Sequence, residues 1–487
     1  MKVSALNTLT GRIVLPGDDE YDSARSAWNM LFSHRPTAIV YVHDTSDVVN
    51  AVATARRNAI PLRVRSGGHC LEGWSTLDDG LVIDVSGLKA VAVDTESRTA
   101  TVGSGITQAQ AVAALGAAGF AAPTGTEGTV SLAGATLGGG FGLLTRVFGM
   151  ACDNLLAVEI VVASTDGGAE VLTVDADDNT DLLWALRGAG NGSFGVVTAL
   201  TYAVHPLADV FSVTATWRGL DALPEVFATW QATAPVANEN LTSQLEINRD
   251  SVVLFAVLVP TGEPQSETSD HSSNAHSPNA NEPEADAKAE AERLLAPLLA
   301  IGSPDVVVTH ASWPDTYAGF QIATADEPAN WKFTSQFVTE PFPAEAIDTI
   351  VHFMSIAPTE ACNYFTNAFG GAVAHGEPVG GSAFAHRDAL FYAEPGAGWG
   401  VRGGVTAAED PLTPSCLRWV ADFTRALEPF VNGAYPNVPN AEAANWPTDY
   451  WGAALARLRT VKSAYDPSDV FRFAQSIPCF EHSAAGD

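Results

Sequence analysis

The chain is poor in the groups that tie proteins to metals, disulfide frameworks and polyanions. Its 487 residues contain five cysteines (Cys70, Cys152, Cys362, Cys416 and Cys479), odd in number, scattered and without C-x-x-C spacing. That pattern argues against a disulfide framework or a zinc site. There is no H-E-x-x-H run and no cluster of His with Asp, so no metal is expected. No apolar run reaches the roughly 18 residues that a membrane-spanning helix needs. The start, "MKVSALNTLTGRIVLPGDDEYD", has neither the basic-then-apolar form of a signal peptide nor a twin-arginine pair, and predicts a cytoplasmic protein.

Lysine is scarcest of all. Only Lys2, Lys89, Lys288, Lys332 and Lys462 are present, and 25 basic residues face 56 acidic ones for a net charge of −31. Such a charge repels nucleic acid and anionic membranes, so neither is expected as a partner. Self-repulsion also destabilises the compact state unless salt screens it, and at molar salt the screening length is about 3 Å. The composition suggests adaptation to a high-salt cytoplasm; the plainer alternative is an acidic protein from a lysine-poor proteome.

What is present describes an α+β protein. The length favours at least two domains. Residues 38–205 alternate β-branched runs ("AIVYVHD", "PLRVRS", "GLVIDVS") with alanine-rich helical stretches. "SDVVNAVATARRNAI" predicts a helix capped at Ser46, "KAVAVDTESRTATVGSG" predicts a hairpin, and residues 155–174 predict another, turning at Asp-Gly-Gly. From about residue 206 longer strand-like runs appear, among them "SVVLFAVLVP" and "WKFTSQFV", which predict an antiparallel sheet with helices. The boundaries expected are 1–205, 206–440 and a tail, 441–487. Residues 262–284 read as a low-complexity acidic insertion, with His271 and His276 as solvated loop residues.

Three glycine-rich stretches carry the functional signal. "RVRSGGHC" sets His69 directly after a turn without side chains, where a ring either fills space or reacts. "GTEGTVSLAGATLGGGFGLLTRVFGMACDNL" (125–155) and "WALRGAGNGSFGVVTAL" (184–200) are dense enough in glycine for backbone N–H groups to close on phosphate. Neither continues as G-x-G-x-x-G into a crossover helix, so a Rossmann-type nicotinamide site is not expected.

In order and spacing these segments resemble the FAD-linked oxidases of the vanillyl-alcohol oxidase / p-cresol methylhydroxylase superfamily. The closing "YWGAALARLRTVKSAYDPSDVFRFAQSI" is similar to the C-terminal signature of its berberine bridge enzyme-like branch. The resemblance implies a p-cresol methylhydroxylase-type FAD-binding domain beside a substrate domain whose antiparallel sheet is backed by helices, with the tail returning to the first. It also implies an enzyme that oxidises an alcohol, sugar or related small organic substrate. Oxygen is the expected acceptor, giving hydrogen peroxide. A dehydrogenase with another acceptor and a flavin-holding protein without turnover are the alternatives.

By the same resemblance His69 bonds covalently to the 8α-methyl carbon of the flavin. The cysteine that makes a second bond in many relatives is replaced here by Glu127, so no cysteinyl bond is expected. The implied FAD contacts are Arg65, Ser66, Gly67, Gly68, His69 and Gly73; then Thr129, Val130, Gly134, Gly138, Gly139, Gly142, Asp153 and Asn154. Gly195, Val197 and Gln475 complete them.

The catalytic base is less readable. The branch places a glutamate after F-x-H-R, here "AFAHRDALFYAEPGAGW", and superposing His386-Arg387 puts Ala393 at its place. Glu394 lies one step off, and a one-residue step in a strand reverses the facing unless a bulge intervenes. The tyrosine of the sugar-oxidising members falls on Val438. Candidate catalytic residues are therefore Tyr392, with a phenol lowered by Arg387, Glu394 and Tyr364. Asn363 and Gln336 are further pocket candidates.

Overall fold

The computed structural model describes residues 8–260, 282–323 and 327–479, with backbone alone over 282–286. The insertion expected at 262–284 lies outside these residues up to 281. Its last three positions already belong to a helix.

Two small sheets build the first unit. One holds β1 (Arg12–Val14), β2 (Ala38–Tyr41), β3 (Leu62–Arg65) and β4 (Leu81–Asp84), in the order β1-β2-β4-β3. Strands β2 and β3 run parallel to β4, and α1 (Thr45–Arg57) makes the crossover between them. The cap of α1 is Asp44 rather than Ser46: the Asp44 carboxylate accepts the Asp47 N–H at 3.0 Å, and the Ser46 hydroxyl donates to that same oxygen. A carboxylate at the positive end of the helix outcompetes a hydroxyl two residues inside it.

The other sheet is antiparallel: β5 (Val91–Asp94), β6 (Thr99–Gly103), β7 (Leu155–Ala163), β8 (Ala169–Val174) and β9 (Val196–Ala203), ordered β5-β6-β9-β7-β8. Both predicted hairpins are here. Helices α2 (Gln108–Ala117), α3 (Leu132–Leu137), α4 (Thr145–Phe148) and α5 (Thr180–Ala189) follow in chain order. A capping box between Thr107 and Gln110 starts α2. Near its end α5 bends at Gly188, φ 112°, where a Cβ would strike the Phe384 backbone at 2.7 Å.

The second unit is one eight-stranded sheet. Its strands are β10 (Asp209–Arg218), β11 (Leu241–Asn248), β12 (Ser251–Leu258), β13 (Asp305–Ser312), β14 (Asn330–Phe333), β15 (Gln336–Val338), β16 (Asn363–Ala368) and β17 (Phe391–Trp399). They run in the order β13-β10-β12-β11-β16-β17-β14, with β15 also on β17. The stretch "WKFTSQFV", expected as one strand, is broken between β14 and β15. The break faces Pro395 of β17, which has no N–H for the ladder.

Period-two alternation splits this sheet into two unlike faces. On one, Val213, Trp217, Leu245, Leu254, Phe391 and Ala393 bury against α6 (Leu223–Thr233), α7 (Glu282–Leu299), α9 (Ala344–Ser355) and α10 (Thr413–Leu427). The other carries half-buried Thr214, Glu246, Phe365 and Glu394. The short helix α8 (Trp313–Gly319) joins Leu143 and Leu144 of the first unit through Trp313 and Tyr317.

The tail forms α11 (Trp446–Trp451) and α12 (Leu455–Tyr465) and packs into the first unit. Tyr450, Trp451, Leu458, Val461 and Ile477 share a core with Leu182, Trp184 and Leu200. Lys462, fully buried, is held by Asp466 at 2.6 Å and by the Ser193 and Phe471 carbonyls at 2.7 Å each. A buried ammonium with three acceptors anchors α12.

Candidate functional site

Strand β3 ends at Arg65, whose guanidinium meets Asp84 at 2.5 Å in a buried pair. The chain then turns. Ser66 donates to the Ser104 carbonyl at 2.6 Å and reaches the Ser131 hydroxyl at 2.7 Å. A Cβ on Gly67 would lie 2.8 Å from the Ser131 nitrogen, so glycine lets this turn press on the start of α3. At Gly68, φ 73°, a Cβ would meet nothing, and Gly134 across the loop is equally open. We read the two, Gly134 exposed on α3 and Gly68 partly exposed at the turn, as the bare-backbone lining of a cradle. Ser104 Oγ is buried beside it with no partner among the described residues.

His69 stands at the edge of this cradle, stacked on Trp28 with centroids 4.9 Å apart. Trp28 stacks in turn on Trp331, and Trp331 on Phe333, both of β14. Burial, with Arg402 adding to it, lowers the His69 pKa to about 4. The ring is therefore neutral at physiological pH, the state in which imidazole is a nucleophile.

The second glycine stretch divides by role. Residues 125–128 are held from the second unit: Gln321 accepts the Gly128 N–H at 2.7 Å and donates to the Thr126 carbonyl at 2.9 Å, and Tyr317 donates to the Gly125 carbonyl at 2.9 Å. Burial raises the Glu127 carboxyl, which accepts the Thr129 hydroxyl at 3.0 Å. The Val130 carbonyl accepts the Gln108 N–H at 2.8 Å. Glycines 138, 139 and 142 are filled by protein: Asn437 crowds Gly138, the Tyr435 ring packs on Gly139, and the Thr124 carbonyl abuts Gly142. Gly73, φ 72°, packs on Phe32.

Several of the residues expected to contact the cofactor also have protein partners. Asp153 accepts Arg387 at 2.5 Å and the Met150 N–H at 2.9 Å, an ion pair between the units. Asn154 donates to the Phe148 and Met150 carbonyls and meets His205 at 2.7 Å. A Cβ on Gly195 would hit the Val161 carbonyl, so that glycine serves strand packing, and Val197 lies in the core. Gln475 accepts the Tyr450 hydroxyl at 2.6 Å and donates to the Asn440 carbonyl at 2.8 Å.

On the open face of the large sheet β16 and β17 pair without a bulge, so Phe365 faces Glu394 and Asn367 faces Tyr392. Tyr392 packs on Phe141 of the glycine loop, centroids 4.7 Å apart, and on Tyr435 at 5.6 Å. Glu394, two residues on, shares this face with Tyr392. No bulge is needed; Ala393 is the residue turned to the helices. The Tyr392 hydroxyl donates to Glu394. Burial raises the Glu394 pKa to about 7, with the charge of Glu246 adding to it and the Tyr392 bond opposing.

Two expectations fail. Tyr392 is not a lowered phenol: burial and the Glu394 charge push it well up, and Arg387 is paired with Asp153. Tyr364 points to the helix side, stacked on Phe423 and donating to Gln336 at 3.2 Å, so it lies on the opposite face of the sheet from Glu394. Glu246 was missed. It alternates with Leu245 and Ile247 along β11, a period-two signal that marks it as facing away from the core.

The cradle fits FAD: open glycines, a buried hydroxyl without a partner and a neutral histidine ring stand together at its edge. Among the described residues no group of His, Cys, Asp or Glu could hold a metal, and no helix is long and apolar enough to cross a membrane.

Residues 36–168 match the family "FAD binding domain", and residues 434–478 match "Berberine and berberine like". The Bacillus subtilis FAD-linked oxidoreductase YgaK is 35% identical over 476 residues, covering 98% of both chains. YvdP from the same organism, also an FAD-linked oxidoreductase, is 36% identical over 482 residues, covering 96% of this chain and 98% of its own. The solved structure of Physcomitrella patens BBE-like 1 superposes with a TM-score of 0.83 at 26% identity, covering 98% of this chain and 99% of that one. With such kinship along nearly its whole length, the chain belongs to the berberine bridge enzyme-like FAD-linked oxidoreductases.

Proposed function

We propose that this oxidoreductase holds FAD through one covalent bond to His69 and oxidises an alcohol, sugar or related small organic substrate. Oxygen is the electron acceptor and hydrogen peroxide the product. Once bound, the flavin supplies hydride acceptance. The chain supplies the rest. Glu394 takes the proton from the substrate's hydroxyl or amine group, and Tyr392 steadies its carboxylate from one side. Phe141, Phe337 and Tyr435, packed around Tyr392, keep water from that side.

The single observation carrying this reading is Glu394: a carboxyl with a value of about 7 on the sheet face that Phe141 of the glycine loop packs against. A base poised near neutrality is what proton abstraction at physiological pH requires. The linkage is supported by the neutral His69 ring beside the open glycines. The acidic, lysine-poor composition supports a cytoplasm of high salt as the protein's setting.

Acid precipitation tests the linkage. Yellow colour should stay with the pellet, and a tryptic peptide containing His69 should be heavier by one FAD. His69→Ala should release the colour; colour that stays fixed in that variant removes His69 as the attachment site. Reoxidation in air after anaerobic reduction tests the acceptor, since a dehydrogenase would recover its colour only slowly.

A further inference from the structure

Across the open face of the sheet Glu246 on β11 stands opposite Phe365 on β16, and Phe365 stands opposite Glu394 on β17. Adjacent strands are about 4.8 Å apart, so the two glutamates start about 10 Å apart with one aromatic ring between them. Burial raises both carboxyls. Their recorded partners are neutral: Tyr392 for Glu394, and the Asn363 amide at 3.4 Å for Glu246.

The surrounding cations are engaged elsewhere. Lys332 pairs with Glu72, Arg387 with Asp153 and Arg402 with Glu327. Arg146 donates to backbone carbonyls, among them those of Leu241 and Pro235. The Asn363 Oδ1, also an acceptor, is buried and without a partner among the described residues. The row thus offers acceptors and an aromatic face, and among the described residues no positive charge is paired with its two carboxyls.

We propose that Glu246, across Phe365 from Glu394, selects an organic amine as substrate by receiving its ammonium form. This rests on the function proposed above and narrows it. Removing two carboxylates from water without a counter-charge is costly, and a bound ammonium relieves both while its substituents cover Phe365. An anionic substrate is disfavoured twice over, and a neutral alcohol relieves neither charge. The chemistry balances. One N–H proton passes to Glu394, and the adjacent C–H leaves with its electron pair to the flavin. The iminium cation that remains stays against Glu246 until water converts it to a carbonyl compound and a free amine.

The test compares N-methylbenzylamine, protonated at pH 8, with its neutral counterpart benzyl methyl ether. Binding to the holoenzyme is measured by titration calorimetry. The amine should bind at least roughly tenfold more tightly, about 1.4 kcal/mol. Glu246→Gln should bring the two within about threefold of each other, and Glu246→Asp, which keeps the charge, should retain most of the preference. Equal or undetectable binding of both probes overturns the proposal, as does a preference that Glu246→Gln leaves intact. Because heat of binding does not depend on turnover, a holoenzyme whose flavin no alcohol, sugar or amine reduces would sink the function proposed above and leave this comparison readable.

Discussion

Glu394 joins the proposed base, a hydrogen-bond acceptor and a source of instability in one side chain. Its pKa of about 7 against an ordinary 4.5 means that the folded protein binds its proton more tightly than the unfolded chain does. Its contribution to stability is therefore complete below about pH 4.5 and is lost as the pH rises through about 7. Glu394→Gln, neutral at every pH, should raise the Tm at pH 8 and leave it nearly unchanged at pH 4. In its proposed role as base, the same group must be ionised to work. The rate of flavin reduction should rise with pH through about 7 and then level, and Glu394→Gln should abolish both the rate and its inflection. Such a substitution commonly costs two to four orders of magnitude where a general base is removed, about 10²–10⁴-fold. Tyr392→Phe should move the inflection upward, because the bond that it removes favours the ionised carboxylate.

Among the elements, β17 explains what reading the chain could and could not reach. "FYAEPGAGW" is apolar on both faces, so alternation alone does not reveal its facing. On the open side Gly396 and Gly398 carry no side chain: Phe333 lies over one and Trp331 over the other. An inserted Cβ at Gly398 would come 2.8 Å from the Trp331 ring, so this apolar character comes from a neighbouring strand far along the sequence. The glycine loops, by contrast, were legible, because backbone that must bend or press close leaves its mark in composition. Their division into open and filled positions was not legible; it depends on Asn437, Tyr435 and Thr124 arriving from elsewhere. The entry to β17 is fixed by Arg387 against Asp153, with side chains 14% and 3% exposed. Arg387→Met would leave that carboxylate buried without its counter-charge, with the Met150 N–H still bonded to it. Denaturant unfolding should show a loss of about 3–5 kcal/mol, partly recovered by Asp153→Asn in the double variant.

At the scale of the whole molecule charge is the dominant fact. A chain at −31 repels itself, and salt weakens that repulsion over distances beyond the screening length. The Tm should climb between 0.1 M and 2 M KCl. A curve that does not move would leave only the plainer reading, an acidic protein from a lysine-poor proteome. The broad architecture was readable because it rests on length and on alternation in long strands; the cap read at Ser46 was not, since the neighbouring Asp44 carboxylate takes that place.

The position of the C-terminal helices also bears on biosynthesis. Trp451, Leu458 and Ile477 complete a core begun by residues some 270 positions earlier, such as Leu182 and Trp184. A nascent polypeptide whose α11 and α12 have not yet emerged from the ribosome lacks that wall. Flavin capture should therefore wait until α11 and α12 have docked, and polypeptides truncated before α11 should emerge colourless, whatever the integrity of their histidine loop.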